Sequence, residues 1–413
     1  MINDCIIMAG GSGTRLWPAS TFSKPKQFLS LPAGSNLPRQ SVEGAPGSKA
    51  SRGKSKAPPF ETFFDAAVER ALAVIDETGD GRVVIIAGRS HIQTIVDECA
   101  RLDVSKRKRL VLIPEPMPKH TAPAIACAVQ YIDWVSRGAE RNVMVLTSDH
   151  IIEPLNTFKA DTKVAAAMAR TNKLVVFGAR PTRPETGYGY IETGKALTIS
   201  PDKIPQSQDE PLVYSVASFR EKPELEKAKK FMASKRFYWN LGMLAFSSKF
   251  MLDEFQRNAP EVITPFKKMA APGKASYKTQ KGLRVLDEQE KLEAAYQETK
   301  AISIEHALTE KCPSVVMVKA GFSWADVGSW DEYAHLKKHT SSEVYSSNEE
   351  TFNTCFVDSD MPVALCGVED LIVIARAGGN GKPPTVLISK KGETQHVKEI
   401  VEKIKAAGRT ELL

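Results

Sequence analysis

Cys5-Ile6-Ile7-Met8-Ala9-Gly10-Gly11-Ser12-Gly13-Thr14-Arg15-Leu16-Trp17-Pro18, residues 5–18, is the stretch that decides the fold. Its apolar run has no polar face, as in a strand covered on both sides, and it breaks at glycines instead of continuing with helical spacing. The same texture returns at Val83-Val84-Ile85-Ile86, Leu110-Val111-Leu112-Ile113, Val143-Met144-Val145-Leu146 and Leu174-Val175-Val176-Phe177. Between these runs, residues 60–75, 91–102, 122–135 and 158–169 read as helices, the crossovers that parallel pairing requires. The expected class is therefore α/β, with a doubly wound, mixed but mostly parallel, Rossmann-like sheet. Ligands on such sheets sit beyond the carboxyl ends of the strands, so the residues after each run are the functional candidates.

Downstream, residues 182–218 change to Gly, Pro and Tyr with short alternating pieces, which predicts an antiparallel flap laid over the sheet. Helical patterns return at 224–235 and 329–338. From residue 341 short apolar runs predict a small C-terminal β region, giving a catalytic domain over 1–340 and an added region over 341–413. Val397, Ile400, Val401 and Ile404 in residues 394–406 have the spacing of an amphipathic closing helix.

With 413 residues, 42% hydrophobic, the chain can bury a large core, and its first residues fit neither a signal peptide nor a membrane span. A cytoplasmic protein is expected. The net charge of +7 would suggest nucleic acid only if spread over a surface. Residues 33–58 hold Arg39, Lys49, Arg52, Lys54 and Lys56 against Glu43, which accounts for +4 of it. That segment has almost no large apolar residues and reads as a disordered basic insertion; removing Asn36 to Ala57 should leave turnover nearly unchanged. No nucleic-acid or membrane partner is expected. Six scattered cysteines without a C-x-x-C read as small buried thiols.

The glycines of residues 10–13 let a backbone approach a phosphate, with converging N–H groups and Arg15 as a fixed cationic fork. No Gly-Lys-Ser/Thr follows, and Leu16 stands where a dinucleotide-binding loop needs its last glycine. Lys24-Pro25-Lys26-Gln27-Phe28 then brings lysine back toward the loop. Asp149 follows the fourth apolar run and Asp326 lies in the Trp- and Gly-rich turn Trp324-Ala325-Asp326-Val327-Gly328-Ser329-Trp330; two such carboxylates with phosphate oxygens suit Mg²⁺.

The opening loop with K-P-K-Q-F resembles the sugar-nucleotide pyrophosphorylases, and most closely the mannose-1-phosphate guanylyltransferases, of the monofunctional form. Further motifs occur in the family's order: Glu115-Pro116 to Thr121-Ala122-Pro123, Ser148-Asp149-His150, Glu185-Thr186-Gly187-Tyr188-Gly189-Tyr190, Phe219-Arg220-Glu221-Lys222-Pro223, Trp239-Asn240-Leu241-Gly242, Ile304-Glu305 and the Asp326 turn. The match spans roughly residues 1–340. The resemblance implies a nucleotide-diphospho-sugar transferase fold, a site for GTP and mannose 1-phosphate, and Mg²⁺ (or Mn²⁺) as cofactor. It implies that Ala9, Gly10, Gly11, Ser12, Gly13, Thr14, Arg15, Lys26, Glu115, Thr121 and Asp149 surround the nucleotide. Gly187, Glu221, Lys222 and Asn240 would surround the sugar phosphate, and Asp149 with Asp326 would hold the metal. His150 is expected to be structural. Lys119-His120 stands where the family shows Arg-Asn, on the loop that would border the base.

Such a reaction needs no nucleophilic side chain, only two polyanions held together while charge is neutralised, so Arg15, Lys26, Lys222, Asp149 and Asp326 are the catalytic candidates. Two alternatives stand beside it: transfer to another sugar 1-phosphate, and an inactive regulatory protein on the same fold. The C-terminal stretch, with His396 its one histidine after residue 339, has no imidazole cluster for an isomerase and could help assemble a homo-oligomer.

Overall fold

The opening run forms β1 (Asp4–Met8), with Cys5, Ile6 and Ile7 fully buried. It is central because its run from Cys5 to Met8 is apolar enough to be covered on both faces. β2 (Val83–Gly88), β3 (Leu110–Glu115) and β4 (Asn142–Thr147) follow, all parallel, with Met8 in register with Ile86 on one side and Thr147 on the other. The carboxyl ends of these strands lie side by side. The structure, a computed structural model, describes all residues except 12, 23, 32–61, 77–78, 198–211, 337–342 and 380–382. Ser12 and the insertion over 33–58 therefore lie outside the described residues.

After the short β5 (His150–Glu153) come β6 (Leu174–Ala179), β7 (Tyr190–Leu197), β8 (Val213–Arg220), β9 (Phe237–Ser247), β10 (Tyr277–Gln280), β11 (Leu283–Leu286), β12 (Val315–Lys319) and β13 (Ser323–Asp326). Among the described residues the main sheet has eleven strands in the order β10-β11-β3-β2-β1-β4-β9-β6-β12-β8-β7. The sheet is mixed, as expected, and β11, β3, β2, β1, β4, β6 and β12 run in one direction. Beyond β4, the eleven-residue β9 runs antiparallel to β4, β6 and β7, so the block from β11 to β4 is parallel while the β10–β11 edge and most pairs past β4 are antiparallel. The expected flap is corrected. β7 and β8 pair antiparallel, yet they belong to the main sheet itself, β8 beside β12 and β7 closing back onto β9.

The chain forms two compact units that do not follow linear order. One holds Met1–Gly10, Ala67–Ser148 and Ile152–Trp324; the other holds Gly11–Ala66, Asp149–Ile151 and Ala325–Leu413. In the first, the helices Thr121–Val135, Ser248–Asn258 and Pro260–Lys267 bury Ile125, Phe255 and Phe266 in one core with Ile6, Val84 and Val145. In the second, β14 (Val344–Ser346) pairs parallel to β16 (Val363–Leu365), while β15 (Phe356–Ser359) and β18 (Thr385–Lys390) flank β17 (Leu371–Arg376). The expected C-terminal β region is present. The closing helix, Val397–Ala406, buries Val397 and Val401, whereas Ile400 points outward at 39% exposure. Five cysteines are buried and Cys366 is exposed.

Candidate functional site

The second unit gathers the opening loop and both aspartates. Lys26 begins the one-turn segment Lys26–Phe28 and its side chain is buried. Its Nζ donates to Asp149 Oδ2 at 2.9 Å and to Asp326 Oδ1 at 2.7 Å, joining carboxylates 177 residues apart in sequence through one ammonium. Burial pulls the lysine's pKa down, but the two carboxylates override it and hold the group charged. Burial likewise pushes Asp149 up, and the adjoining Lys26 charge brings it below the usual carboxylate range. Gly13 makes this approach possible. Its φ is +60° and a Cβ there would fall on Lys26 Cβ, so a side chain is excluded on two grounds.

His150 joins the two aspartates: one ligand atom from each of Asp149, His150 and Asp326 lies within 4.8 Å of the others. Two carboxylates that share one ammonium, with an imidazole beside them, are a donor set that fits a divalent ion. His150, expected to be structural, is buried with its Nε2 4.0 Å from Asp149 Oδ1. Arg15 is exposed on the one-turn segment Thr14–Leu16 of the same unit.

In the first unit, Ala9 is buried with its N–H on the Ile86 carbonyl, and a Cβ on Gly10 would stand 3.1 Å from Glu115 Oε2. Glu115 ends β3, is 8% exposed and accepts from Tyr296 Oη at 3.0 Å. Burial raises its pKa to about 7, against a small opposing pull from the Tyr296 bond. Thr121 starts its helix, and its hydroxyl accepts the Ile304 N–H at 2.8 Å. Lys119, in the departing Lys-His pair, donates to the Thr299 carbonyl.

The same unit brings Glu221 and Asn240 against Gly189. A Cβ there would lie 2.7 Å from Glu221 Oε2 and 3.5 Å from Asn240 Cβ, and the Asn240 N–H bonds the Gly189 carbonyl at 2.8 Å. Gly187, the expected residue, instead donates its N–H to Glu185 Oε1. The signal separating them was spacing within Gly-Tyr-Gly, which one sequence does not resolve. Glu221 is raised by burial and by Glu305, against the pull of Lys222. Lys222 is exposed, 3.8 Å from Glu221, with φ at +41°, a left-handed backbone that non-glycine residues seldom adopt. Tyr188 packs edge-on against Trp239 and Trp324, and Arg183 lies over Tyr188 and Trp239, so these aromatics brace the glycine turn.

A nucleotidyl transferase family model matches residues 4–37 and 77–343, and a MannoseP isomerase/GMP-like beta-helix domain model matches 350–404. The chain is 30% identical over 410 residues to the mannose-1-phosphate guanylyltransferase of Escherichia coli K12, covering 98% of this chain and 74% of that one. It is 31% identical over 409 residues to the xanthan biosynthesis protein XanB of Xanthomonas campestris, with the same coverage. Among solved structures, a mannose-1-phosphate geranyltransferase from Thermus thermophilus matches with TM-score 0.71 and 26% identity, covering 98% of this chain and all of that one.

Proposed function

Because this chain belongs to the nucleotidyl transferase family, we propose that it joins GTP to mannose 1-phosphate, yielding GDP-mannose and pyrophosphate. The carrying observation is the Lys26 ammonium clasped by Asp149 and Asp326, a preformed arrangement of one cation and two hard carboxylates. The sugar and the base follow the relatives' names. Among the described residues no helix is long and apolar enough to cross a membrane.

The reaction is an in-line displacement. A phosphate oxygen of mannose 1-phosphate, already anionic, forms a bond to the α-phosphorus of GTP while the bond to the bridging oxygen breaks and pyrophosphate leaves with that electron pair. No proton moves, so no general base is needed. Arg15 and Lys26 bind the triphosphate, with backbone N–H groups of Gly10, Gly11 and Gly13 on its oxygens. Lys222 holds the sugar phosphate, and Glu221 and Asn240 orient the sugar against Gly189. Asp149 and Asp326 would hold Mg²⁺ (or Mn²⁺), which when bound offsets charge building on the phosphate oxygens. In the free protein Lys26 offsets one of the two carboxylate charges and bonds both acids, so neither stands unpaired.

The test is pyrophosphate release from a panel of nucleotides and sugar 1-phosphates, with and without EDTA. Turnover with GTP and mannose 1-phosphate should exceed every other pair and vanish on chelation. Preference for another pair would overturn the substrate reading; no release with any pair would overturn the enzyme.

A further inference from the structure

Arg15 is exposed, but the residues after it are not. Leu16 is 1% and Trp17 6% exposed, and both belong to one core with Val397, Val401 and Leu413 of the C-terminal stretch. The same core holds Ile151, two residues from Asp149, and Val327, next to Asp326. Apolar packing alone fixes depth better than rotation, and here two directional bonds add orientation. The Trp17 indole N–H donates to the Leu412 carbonyl at 2.7 Å, 395 residues away, and the Trp330 indole N–H donates to the Trp17 carbonyl at 2.9 Å. Trp17 thereby has its side chain tied by the C-terminal tail and its backbone tied by Trp330. Upstream, the Trp17 N–H returns to the Thr14 carbonyl, Leu16 N–H to the Gly13 carbonyl, and Ser20 Oγ to that same Gly13 carbonyl at 2.6 Å. Gly13 rests on Lys26. A continuous series of short contacts thus runs from Leu412 through Trp17 to Thr14, Gly13 and Lys26, the turn that carries Arg15.

We propose that the C-terminal tail is a positioning clamp for the phosphate loop, acting through Trp17, and that Trp17, Trp330 and Leu413 are positioning residues for the nucleotide. The inference rests on the assignment of that loop to the triphosphate. A turn of three residues has few bonds of its own, and misplacing a charged group by about 1 Å is enough to lose roughly a hundredfold in rate. The sugar-side residues Glu221, Lys222 and Asn240 belong to the other compact unit, so the clamp should act on one substrate selectively.

The experiment uses the full chain with Trp17→Phe, which keeps an aromatic ring and removes the indole donor, and Leu413→Asp, which expels the tail from its core. Each should raise the KM for GTP roughly tenfold or more while the KM for mannose 1-phosphate stays within about twofold. The double variant should be little worse than Leu413→Asp alone, because both break one linkage. Val401→Ala, which touches the core without either bond, should lower the unfolding midpoint without that split in KM. Additive losses, an equal rise in both KM values, or an unchanged GTP KM would overturn the clamp. Arg15→Ala separates the two ideas: if it leaves GTP kinetics untouched, the loop assignment fails; if it is impaired and Trp17→Phe is normal, only the clamp fails.

Discussion

The two charged groups of this protein are held in opposite ways. Lys26, Asp149 and Asp326 are locked together at 2.7 to 2.9 Å, the lysine buried and the acids about one-third exposed. Glu221 and Lys222 are looser, 3.8 Å apart, with the lysine largely in water and the glutamate about half-buried. A buried cation must bring its counter-charge with it, so Lys26 is paired within the fold, and the second carboxylate leaves the group one negative charge in excess. An exposed lysine has solvent, and what fixes it is backbone: the left-handed turn at Lys222 and the Gly189 contact beside it. Preorganisation is electrostatic in one region and steric in the other.

The most damaging way to break that contrast is Asp326→Ala. Lys26 keeps Asp149, so the fold should survive by circular dichroism, while pyrophosphate release from GTP and mannose 1-phosphate falls by about a thousandfold or more. Near-normal turnover would remove Asp326 from the site. On the looser side, Lys222→Ala should raise the KM for mannose 1-phosphate by about a hundredfold and leave that for GTP nearly unchanged, because an exposed ammonium contributes through its ligand and little to folding. A drop in thermal stability with unchanged KM would mean that the lysine is only a turn residue.

The glycines sharpen the steric half. Gly189→Ala places a methyl 2.7 Å from the Glu221 carboxylate, and should cost about tenfold in kcat/KM for the sugar phosphate. Gly187→Ala, whose nearest neighbour would be the movable Glu185 carboxylate at 3.2 Å, should change it by less than about twofold. The reverse ranking would restore Gly187 as the sugar-side glycine.

A separate effect, read in stability and not in turnover, concerns a buried acid held by a tyrosine hydroxyl instead of an ammonium. Glu115 in the fold titrates near pH 7 against 4.5 for an ordinary glutamate, so its stabilising contribution is complete below about pH 4.5 and is lost as pH rises through 7. Over that window wild-type stability should fall relative to Glu115→Gln by on the order of 3 kcal/mol, read from urea midpoints. A constant difference across pH would show that Glu115 stays ionised, as Asp149 does beside Lys26.

Much of this was legible in order along the chain. Five buried apolar runs announced β1 to β4 and β6 because strands covered on both faces tolerate nothing else. β9 was not legible as an antiparallel insertion: Phe237–Ser247 mixes polar and apolar residues, and strand direction depends on partners far away. Asp149 and Asp326 could be selected by residue type and turn context, but Lys26 as their shared counter-ion could not. His150 and Gly189 were each one or two positions from a selected residue, and only side-chain directions distinguish such neighbours.

By itself the sequence determined which residues could carry charge, metal and phosphate, since chemistry resides in residue type, and where the central strands run, since burial on both faces is written in consecutive apolar residues. The tertiary structure alone decided which carboxylates share an ammonium, which glycine yields to Glu221, and that Leu412 reaches Trp17. Those pairings join residues tens to hundreds of positions apart, and nothing local in a chain encodes the distance between its distant parts.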